Sequence, residues 1–339
     1  MFSHGQKRVK RSKELTEKEN LINQKTEKVC QEFLHMRNTY KSTGKSLDEL
    51  LEYSSGILEI MSDQPTVINF RQELSSQKFI KFEEDLKAII EAKKDIEELT
   101  KFMDKVKSFV EKEMKFNSKL VMADLKSYQL WFYRLWLLKK YAIFERDAYK
   151  NNKEAFKPKE SDPEKKLDIE TEVKTESKVI EKKPETKSPA NFAKTKSFKF
   201  IFKDLKMSEM FLLKDERNFH TWNYRFNLWN SLINIYPESR PMILESEREF
   251  VNKIHKKNYS NYSTIHFKMK LYQRLVDLGE NLNETFLEEL QKVFEGLFIS
   301  PNEQALYLFQ RWLFDQLMVK IILSIDKITE KSKKYIIIY

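Results

Sequence analysis

One short pattern of bulky residues recurs five times along the chain, and it constrains the fold more than any other feature. Each copy has a bulky anchor, an aromatic residue two positions later and a leucine six positions later, with anchors at Ile68, Trp131, Trp222, Ile265 and Tyr307. The last three anchors are 43 and 42 residues apart, which is the length of a two-helix unit in an α-solenoid. The pattern therefore predicts a tandem array of helical hairpins.

The scarcity of glycine supports the same fold class. Only five glycines serve 339 residues, whereas β-hairpins and phosphate-binding loops depend on residues that adopt positive φ. No two glycines are close enough to form a Walker or dinucleotide-binding loop. We therefore predict an all-α fold that has no nucleotide-binding loop of its own.

The anchor and aromatic positions are expected to fall on the second helix of each hairpin, where they pack helix pairs together. This packing role is assigned to Trp131, Tyr133, Trp222, Tyr224, Phe267 and Phe309. The residues just before each anchor lie at the start of the second helix, where free backbone N–H groups and the helix dipole favour anions. Lys126 and Arg217 place cationic groups at two such starts.

Hydrophobic periodicity predicts further helices outside the five copies. Residues 12–45 are expected to form one helix. Ser46 and Glu49 have the spacing of a capping box, and they open a second helix that breaks near Pro65. Residues 79–118 are charged and keep a helical period, so they are expected to be helical with a solvated face.

A Lys/Glu-rich segment, 151–198, interrupts the array. The 91 residues between Trp131 and Trp222 exceed one 43-residue period by 48, which is the length of this segment. Because it is dominated by Lys, Glu, Thr, Ser and Pro, it cannot bury enough apolar surface to offset its ordering entropy, and we predict a disordered insertion. Residues 1–150 then hold the N-terminal helices and two repeats, and 199–339 hold three repeats and a C-terminal helix of one helical-repeat domain.

Composition argues against several classes of site. Cys30 is the only cysteine, and the five histidines show no metal-ligand spacing, so no metal site and no disulfide are predicted, and a cytoplasmic setting is expected. The net charge is +10, but the basic residues are interleaved with 52 acidic ones, which disfavours nucleic-acid binding. No apolar run reaches the roughly 18 residues that span a bilayer, and the N-terminus lacks the apolar core of a signal peptide.

The tandem pattern N-[YF]-x-x-W-x-[YF]-R-x-x-L resembles that of protein prenyltransferase α subunits, and in detail the α subunits of Rab geranylgeranyltransferases, the type II enzymes. The matching segments are HGQKRVKRS near the start, LKSYQLWFYRLWLL at 125–138, DERNFHTWNYRF at 215–226, NYSNYSTIHF at 258–267 and SPNEQALYLFQRWL at 300–313. They cover most of residues 4–315 apart from the insertion.

The resemblance implies a right-handed superhelix of antiparallel helical hairpins that wraps around a separate β subunit. That β subunit would hold a catalytic zinc, this chain would hold no cofactor, and the enzyme would be active only as the heterodimer. It would transfer a geranylgeranyl group from geranylgeranyl diphosphate to C-terminal cysteines of Rab GTPases, which a Rab escort protein presents. The substrate thiolate attacks C1 of the isoprenoid diphosphate.

The resemblance also implies roles for six residues of the two helix starts. Lys126 matches the lysine that reaches the diphosphate, where a fixed ammonium favours the developing negative charge, and His220 matches a histidine near the diphosphate. Both are candidate catalytic residues. The candidates that face the substrate or the β subunit are Tyr128, Gln129, Arg217 and Phe219.

Departures from the family pattern leave two alternatives open. Gln129 resembles a glutamine that receives a peptide carboxylate in farnesyltransferase, which favours the shared α subunit of the enzymes that act on CaaX proteins. Pro65 and the extra residue within 301–304 favour type II instead. The eroded anchors Ile68 and Ile265 make a non-catalytic helical scaffold the second alternative. His4 resembles an autoinhibitory zinc ligand of the type II N-terminus, but a disordered tail is the preferred interpretation.

Overall fold

The computed structural model describes residues 13–92, 96–151 and 195–318, and these residues form helices joined by short turns. In chain order the helices are α1 Lys13–Thr39, α2 Leu47–Ile60, α3 Pro65–Glu91, α4 Ile96–Ala123, α5 Tyr128–Asn151, α6 Lys196–Lys214, α7 Phe219–Ile235, α8 Arg240–Lys257, α9 Tyr262–Asp277, α10 Asn283–Ile299 and α11 304–318. Short 3-10 turns follow α1, at Tyr40–Ser42, and α7, at Pro237–Ser239. The prediction of an all-α fold of helical hairpins is confirmed.

Each of the five sequence copies is the second helix of a hairpin, and in all five a turn of four residues precedes it. These turns are 61–64, 124–127, 215–218, 258–261 and 300–303. All the residues assigned to packing are buried, with exposed fractions of 4% or less for Trp131, Tyr133, Trp222, Tyr224, Phe267 and Phe309. Helix packing therefore accounts for the conserved spacing within the repeat pattern.

The described residues fall into two compact groups, which are 1–94 with 112–133, and 95–111 with 134–339. In the first group α2 packs on α3, and Phe70 of α3 makes edge-to-face contacts with Phe33 and Tyr40. Ser46 caps α2 through the predicted capping box, since its side chain accepts a hydrogen bond from Glu49 N while the Glu49 carboxylate accepts one from Ser46 N at 2.7 Å. Gly44 precedes this cap with a φ of 67°, a conformation that favours glycine.

In the second group each hairpin packs on the next through aromatic side chains. Trp222 of α7 contacts Phe250 of α8 and Phe267 of α9, with ring centroids 5.8 and 4.7 Å apart. At the last hairpin a Cβ on Gly296 would lie 2.8 Å from the Leu306 side chain, so glycine permits the close approach of α10 and α11. The hairpins are thus joined by a continuous apolar core.

Residues 79–118 are helical as predicted, and they belong to two helices, because α3 ends at Glu91 and α4 begins at Ile96. No glycine or proline marks this break. The predicted insertion ended too late. Helix α6 begins at Lys196, the side chain of Thr195 caps it, and Phe198 is buried.

Several expectations lie outside the described residues. These are the histidine at position 4, the remainder of the insertion (152–194) and the C-terminal stretch 319–339.

Candidate functional site

The turns that precede the second helices place the predicted site residues. Ser127, Asn218 and Asn261 are the last residues before α5, α7 and α9, and their side chains accept hydrogen bonds from backbone N–H groups of the first helical turn, at 2.9–3.2 Å. These side chains satisfy donors that a helix start otherwise leaves unpaired. The turns therefore have fixed geometry, and the residues beside the caps are held in equivalent positions.

The anchor side chains also hold the turns, through hydrogen bonds to backbone carbonyls. Trp131 Nε1 donates to Leu125 O at 2.9 Å, and Trp222 Nε1 donates to Glu216 O at 2.8 Å. Tyr307, which replaces the anchor tryptophan in the fifth repeat, donates through its hydroxyl to Pro301 O at 2.9 Å. The polar atom of each of these anchors thus donates a hydrogen bond to a carbonyl of the preceding turn. The replacement of tryptophan by tyrosine preserves this bond.

In the first group the site residues surround the turn 124–127. Lys126 N donates to Asp124 Oδ1 at 3.0 Å, while its side chain is exposed. Tyr128, the first residue of α5, is 59% exposed, and Gln129 is half-buried. The arrangement presents an ammonium and a phenol to solvent at the positive end of a helix, which suits an anionic ligand.

In the second group the turn 215–218 repeats this arrangement. Arg217 N donates to Asp215 Oδ1 at 3.2 Å, so Arg217 occupies the position that Lys126 has in the earlier turn, and its side chain is also exposed. Phe219 is 49% exposed and His220 is half-buried, with their ring centroids 6.0 Å apart. The six predicted residues are therefore two copies of one arrangement, and each copy lies in its own group.

The turns of the second group are bonded to one another. Asn261 Nδ2 donates to Glu216 O at 2.9 Å, and Asn258 Nδ2 donates to the Glu216 carboxylate. Ser260 Oγ donates to Glu303 Oε2 at 2.6 Å. The helix starts of α7, α9 and α11 are thus tied into one edge, on which Phe219 and Tyr262 are both exposed.

Four of the five repeats contain a buried ion pair. The basic residue three positions after each anchor pairs with a buried carboxylate of the next helix in the array. The pairs are Arg71–Glu113, Arg134–Asp204, Arg225–Glu247 and Lys268–Glu289. The sequence pattern includes the recurring basic residue, but it did not predict the acidic partners. The available signal was their spacing, since the acid follows the base by 22 and 21 residues in the last two pairs.

Two tyrosines each donate a hydrogen bond to the acid of one of these pairs. Tyr133 Oη donates to Glu113 at 2.7 Å, and Tyr224 donates to Asp204, each across 20 residues of sequence. Burial, followed by the charge of the neighbouring carboxylate, raises the pKa of both phenols well above the ordinary value. Both therefore stay protonated and act as hydrogen-bond donors, which explains why tyrosine rather than phenylalanine follows these two anchors.

The fourth pair differs because lysine replaces arginine. Lys268 Nζ bonds to the Glu289 carboxylate and lies 3.3 Å from Nδ1 of His255, which is buried. An ammonium only donates, so this imidazole nitrogen is the acceptor. Burial and the Lys268 charge lower the pKa of His255 to about 4. The histidine is therefore neutral near pH 7 and completes the coordination of the ammonium.

An open cleft of about 400 Å³ lies beside the turn 215–218. Its lining residues are Leu213, Lys214, Asp215, Glu216, Arg217, Lys257 and Asn258. Within the described ranges, no group of three or more His, Cys, Asp or Glu side chains is placed to hold a metal ion. None of the described helices has a stretch that is long and apolar enough to cross a bilayer.

Comparison with known proteins assigns the repeat. The family model described as the protein prenyltransferase alpha subunit repeat matches residues 110–141, which include the turn 124–127 and its anchor. The chain is also similar over 91% of its length to proteins named geranylgeranyl transferase type-2 subunit alpha. Residues 110–141 thus match a protein prenyltransferase α-subunit repeat, and the chain is similar to such subunits over most of its length. The other four turn-and-anchor units share the same pattern.

The relatives are distant, and the mammalian ones are much longer. The mouse and human type-2 α subunits are each 24% identical over 316 residues, and the match covers 41% of each relative. The fission yeast type-2 α subunit is 25% identical over 117 residues, or 32% of this chain and 33% of the relative. The chain therefore spans about two fifths of the length of the mammalian relatives that it matches.

Proposed function

We propose that this chain is the α subunit of a heterodimeric type II protein geranylgeranyltransferase. It would support transfer of a geranylgeranyl group from geranylgeranyl diphosphate to C-terminal cysteines of Rab GTPases presented by an escort protein. A separate β subunit would supply the zinc. The relatives named above are type-2 α subunits, which favours this class over the shared α subunit of the CaaX enzymes.

The observation that carries the proposal is the exposed ammonium of Lys126 at the start of α5. The hydrogen bond from Lys126 N to Asp124 orients the turn, and the Ser127 cap fixes the helix start. The side chain is exposed and so is available to an anionic group from another chain's site. A diphosphate leaving group gains negative charge as the C1–O bond breaks, so a fixed ammonium stabilises the transition state more than the ground state.

The first test concerns the partner. The chain, co-expressed with each prenyltransferase β subunit of the same genome, is expected to form one stable heterodimer that geranylgeranylates Rab only when an escort protein is present. The chain alone is expected to be inactive. Prenylation of CaaX peptides without an escort would assign it to the CaaX class, and failure to bind any β subunit would favour the scaffold alternative.

The second test concerns Lys126. In the heterodimer, Lys126→Ala is expected to slow single-turnover transfer on the order of 10²-fold, with unchanged assembly of the two subunits. The matched control is Lys115→Ala, which removes an exposed lysine of α4 and should leave the rate unchanged. Equal single-turnover rates for the Lys126 variant and the wild type would remove Lys126 from the catalytic residues.

A further inference from the structure

A row of asparagines runs along one face of α7. Asn223, Asn227, Asn230 and Asn234 are spaced by four, three and four residues, so they fall within an arc of about 60° on the helix. The first three are half-buried and the last is exposed. Asparagine is a poor residue for a helix interior because its side chain competes for backbone hydrogen bonds, and exposed helix faces elsewhere in the chain carry Lys and Glu. Four asparagines on one face therefore indicate a requirement other than helix stability.

A row of basic residues on α9 lies beside the asparagines. His266, Lys270 and Arg274 are spaced by four residues, and α9 runs in the same direction as α7. Asn223, His266 and Lys270 line one small cavity near the helix starts. Towards the other end, Arg274 Nη2 donates to Asn234 Oδ1 at 3.0 Å. The amide row and the basic row thus lie side by side, with the small cavity between them at one end and a direct hydrogen bond at the other, and we name this seam the α7–α9 groove.

The groove holds polar atoms that the described part of the chain does not satisfy. The Oδ1 atom of Asn230 and the Nε atom of Arg274 are buried, and neither has a hydrogen-bond partner among the described residues. Buried polar atoms of this kind are rare in native proteins and call for a partner. One is an acceptor and the other a donor, so the missing partner has to offer both donors and acceptors.

We propose that the α7–α9 groove binds an acidic peptide segment in an extended conformation. An asparagine amide offers one acceptor and two donors, and so it can pair with both the N–H and the C=O of a peptide unit. Asn227 Nδ2 donates to Asn223 O at 2.8 Å and to Asn223 Oδ1 at 3.3 Å, which leaves the Oδ1 of Asn227 as an acceptor for such a peptide. The row from Asn223 to Asn234 is about 16 Å long at 1.5 Å per residue. An extended peptide of about five residues has the same length at 3.3 Å per residue.

The charge of the basic wall selects an acidic segment. Alternate side chains of an extended peptide are about 6.6 Å apart on one face, and successive residues of the basic row are about 6 Å apart along α9. Carboxylates at alternate positions would therefore face Lys270 and Arg274 in turn. The one acid that follows on this face, Asp277, is exposed at the end of α9 and accepts a hydrogen bond from Gln273 at 3.0 Å. This inference does not depend on prenyl transfer.

The test uses the full chain and a fluorescent peptide of about eight residues in which Glu and Thr alternate. Binding is measured by fluorescence anisotropy. The double variant Asn227→Ala, Asn230→Ala is expected to bind about tenfold more weakly, as the loss of two net hydrogen bonds predicts, and Lys270→Ala is expected to weaken binding and reduce its salt dependence. Because alanine is the better helix former, neither change should lower the thermal midpoint. Asn252→Ala on α8 is the matched control and should bind normally.

Two further peptides distinguish the type of occupant. A peptide with Pro in place of Thr keeps the charges but removes backbone N–H groups, and it is expected to bind at least tenfold more weakly. A helix-stabilised peptide of the same charge is also expected to bind more weakly. No binding of the Glu/Thr peptide to the wild type, equal binding by the double variant, equal binding of the proline peptide, or tighter binding of the helical peptide would each overturn the proposal.

Discussion

In the four repeats that have a buried basic residue, that residue depends on one carboxylate, as Arg225 illustrates. Its guanidinium donates to both oxygens of Glu247 at 2.8 and 2.7 Å, to Leu205 O at 2.8 Å and to Ser208 Oγ at 3.0 Å, and it lies 3.8 Å from the centre of the Phe250 ring. All its hydrogen-bonding edges are used, which is the condition under which a buried ion pair is tolerated. Removing one partner leaves the other charge buried.

Arg225→Met is therefore expected to destabilise the chain by roughly 3–5 kcal/mol, measured by urea unfolding. Burial already raises the pKa of Glu247 while Arg225 lowers it, so the variant raises this pKa further. A carboxyl group with a raised folded-state pKa stabilises the fold below its unfolded value of 4.5 and loses that contribution as the pH rises. The difference in unfolding free energy between the wild type and the variant should thus be largest at pH 7 and shrink towards pH 4.5.

The double variant Arg225→Met, Glu247→Leu tests the same explanation from the other side. With both charges gone, most of the stability is expected to return. If the double variant were as unstable as the single one at every pH, the loss would come from packing around residue 225 and not from an unpaired carboxylate.

His255 gives the fold a second pH dependence. Burial and the charge of Lys268 lower its pKa from 6.5 to about 4, so between these values the unfolded chain binds a proton that the folded chain does not. The contribution of the neutral His255 to the free energy of unfolding is fully present above pH 6.5 and is lost as the pH falls towards 4. It amounts to on the order of 3 kcal/mol.

Unfolding free energies measured from pH 7 to pH 4 should show this dependence in the wild type and lack it in His255→Gln. Glutamine keeps an acceptor for the Lys268 ammonium without a titrating ring. The control is His35→Gln, which changes an exposed histidine of α1 and should keep the wild-type slope. Parallel pH profiles for the wild type and His255→Gln would contradict the assignment.

At the scale of elements, side-chain caps hold the starts of α7 and α9, but the two caps differ in the other hydrogen bonds that they make. Asn218 caps α7 through Thr221 N at 3.0 Å. Asn261 caps α9 through Ser263 N and Thr264 N, and its amide also donates to Glu216 O of the preceding turn. The second asparagine therefore links two hairpins, whereas the first supports one.

Asn218→Ala is expected to cost about 1 kcal/mol, the usual contribution of a cap. Asn261→Ala should cost roughly 2–3 kcal/mol, because the bond between turns is lost as well. Thermal unfolding gives the ranking, and amide hydrogen exchange locates the effect. In Asn261→Ala, exchange should increase at the starts of both α7 and α9. Equal costs for the two variants would show that the bond to Glu216 contributes nothing.

At the scale of the whole molecule, the repeat pattern predicted what local chemistry determines and missed what depends on distant residues. The anchors and their aromatics were predicted because helix packing repeats with the sequence. The carboxylate partners of the basic residues were not predicted, since Asp204 follows Arg134 by 70 residues and the insertion hides its regular spacing. The position of the break between α3 and α4 was not predicted, because Ala92 ends α3 without any glycine or proline. The candidate site was found through the family resemblance, because exposure at a helix start alone does not distinguish Lys126 from other lysines.

The helices that flank the predicted insertion, α5 and α6, are bonded directly to each other. The carboxylate of Glu145 on α5 accepts hydrogen bonds from the backbone N–H groups of Lys196 and Ser197 at 3.1 and 2.8 Å. Ser197 Oγ is 2.6 Å from the Tyr236 hydroxyl, and Arg134 pairs with Asp204. These bonds fix the start of α6 on α5 whatever the intervening chain does.

Replacing residues 152–194 with about ten Gly/Ser residues should therefore preserve the fold. Shortening the loop about fourfold lowers its closure entropy cost by roughly 1 kcal/mol, so the thermal midpoint is expected to stay the same or rise by a few degrees. In this shortened chain Glu145→Ala should be strongly destabilising, because it removes the carboxylate that caps α6. A shortened chain that fails to fold would show that residues 152–194 contribute to the packed array, and that the length of the insertion is a structural requirement.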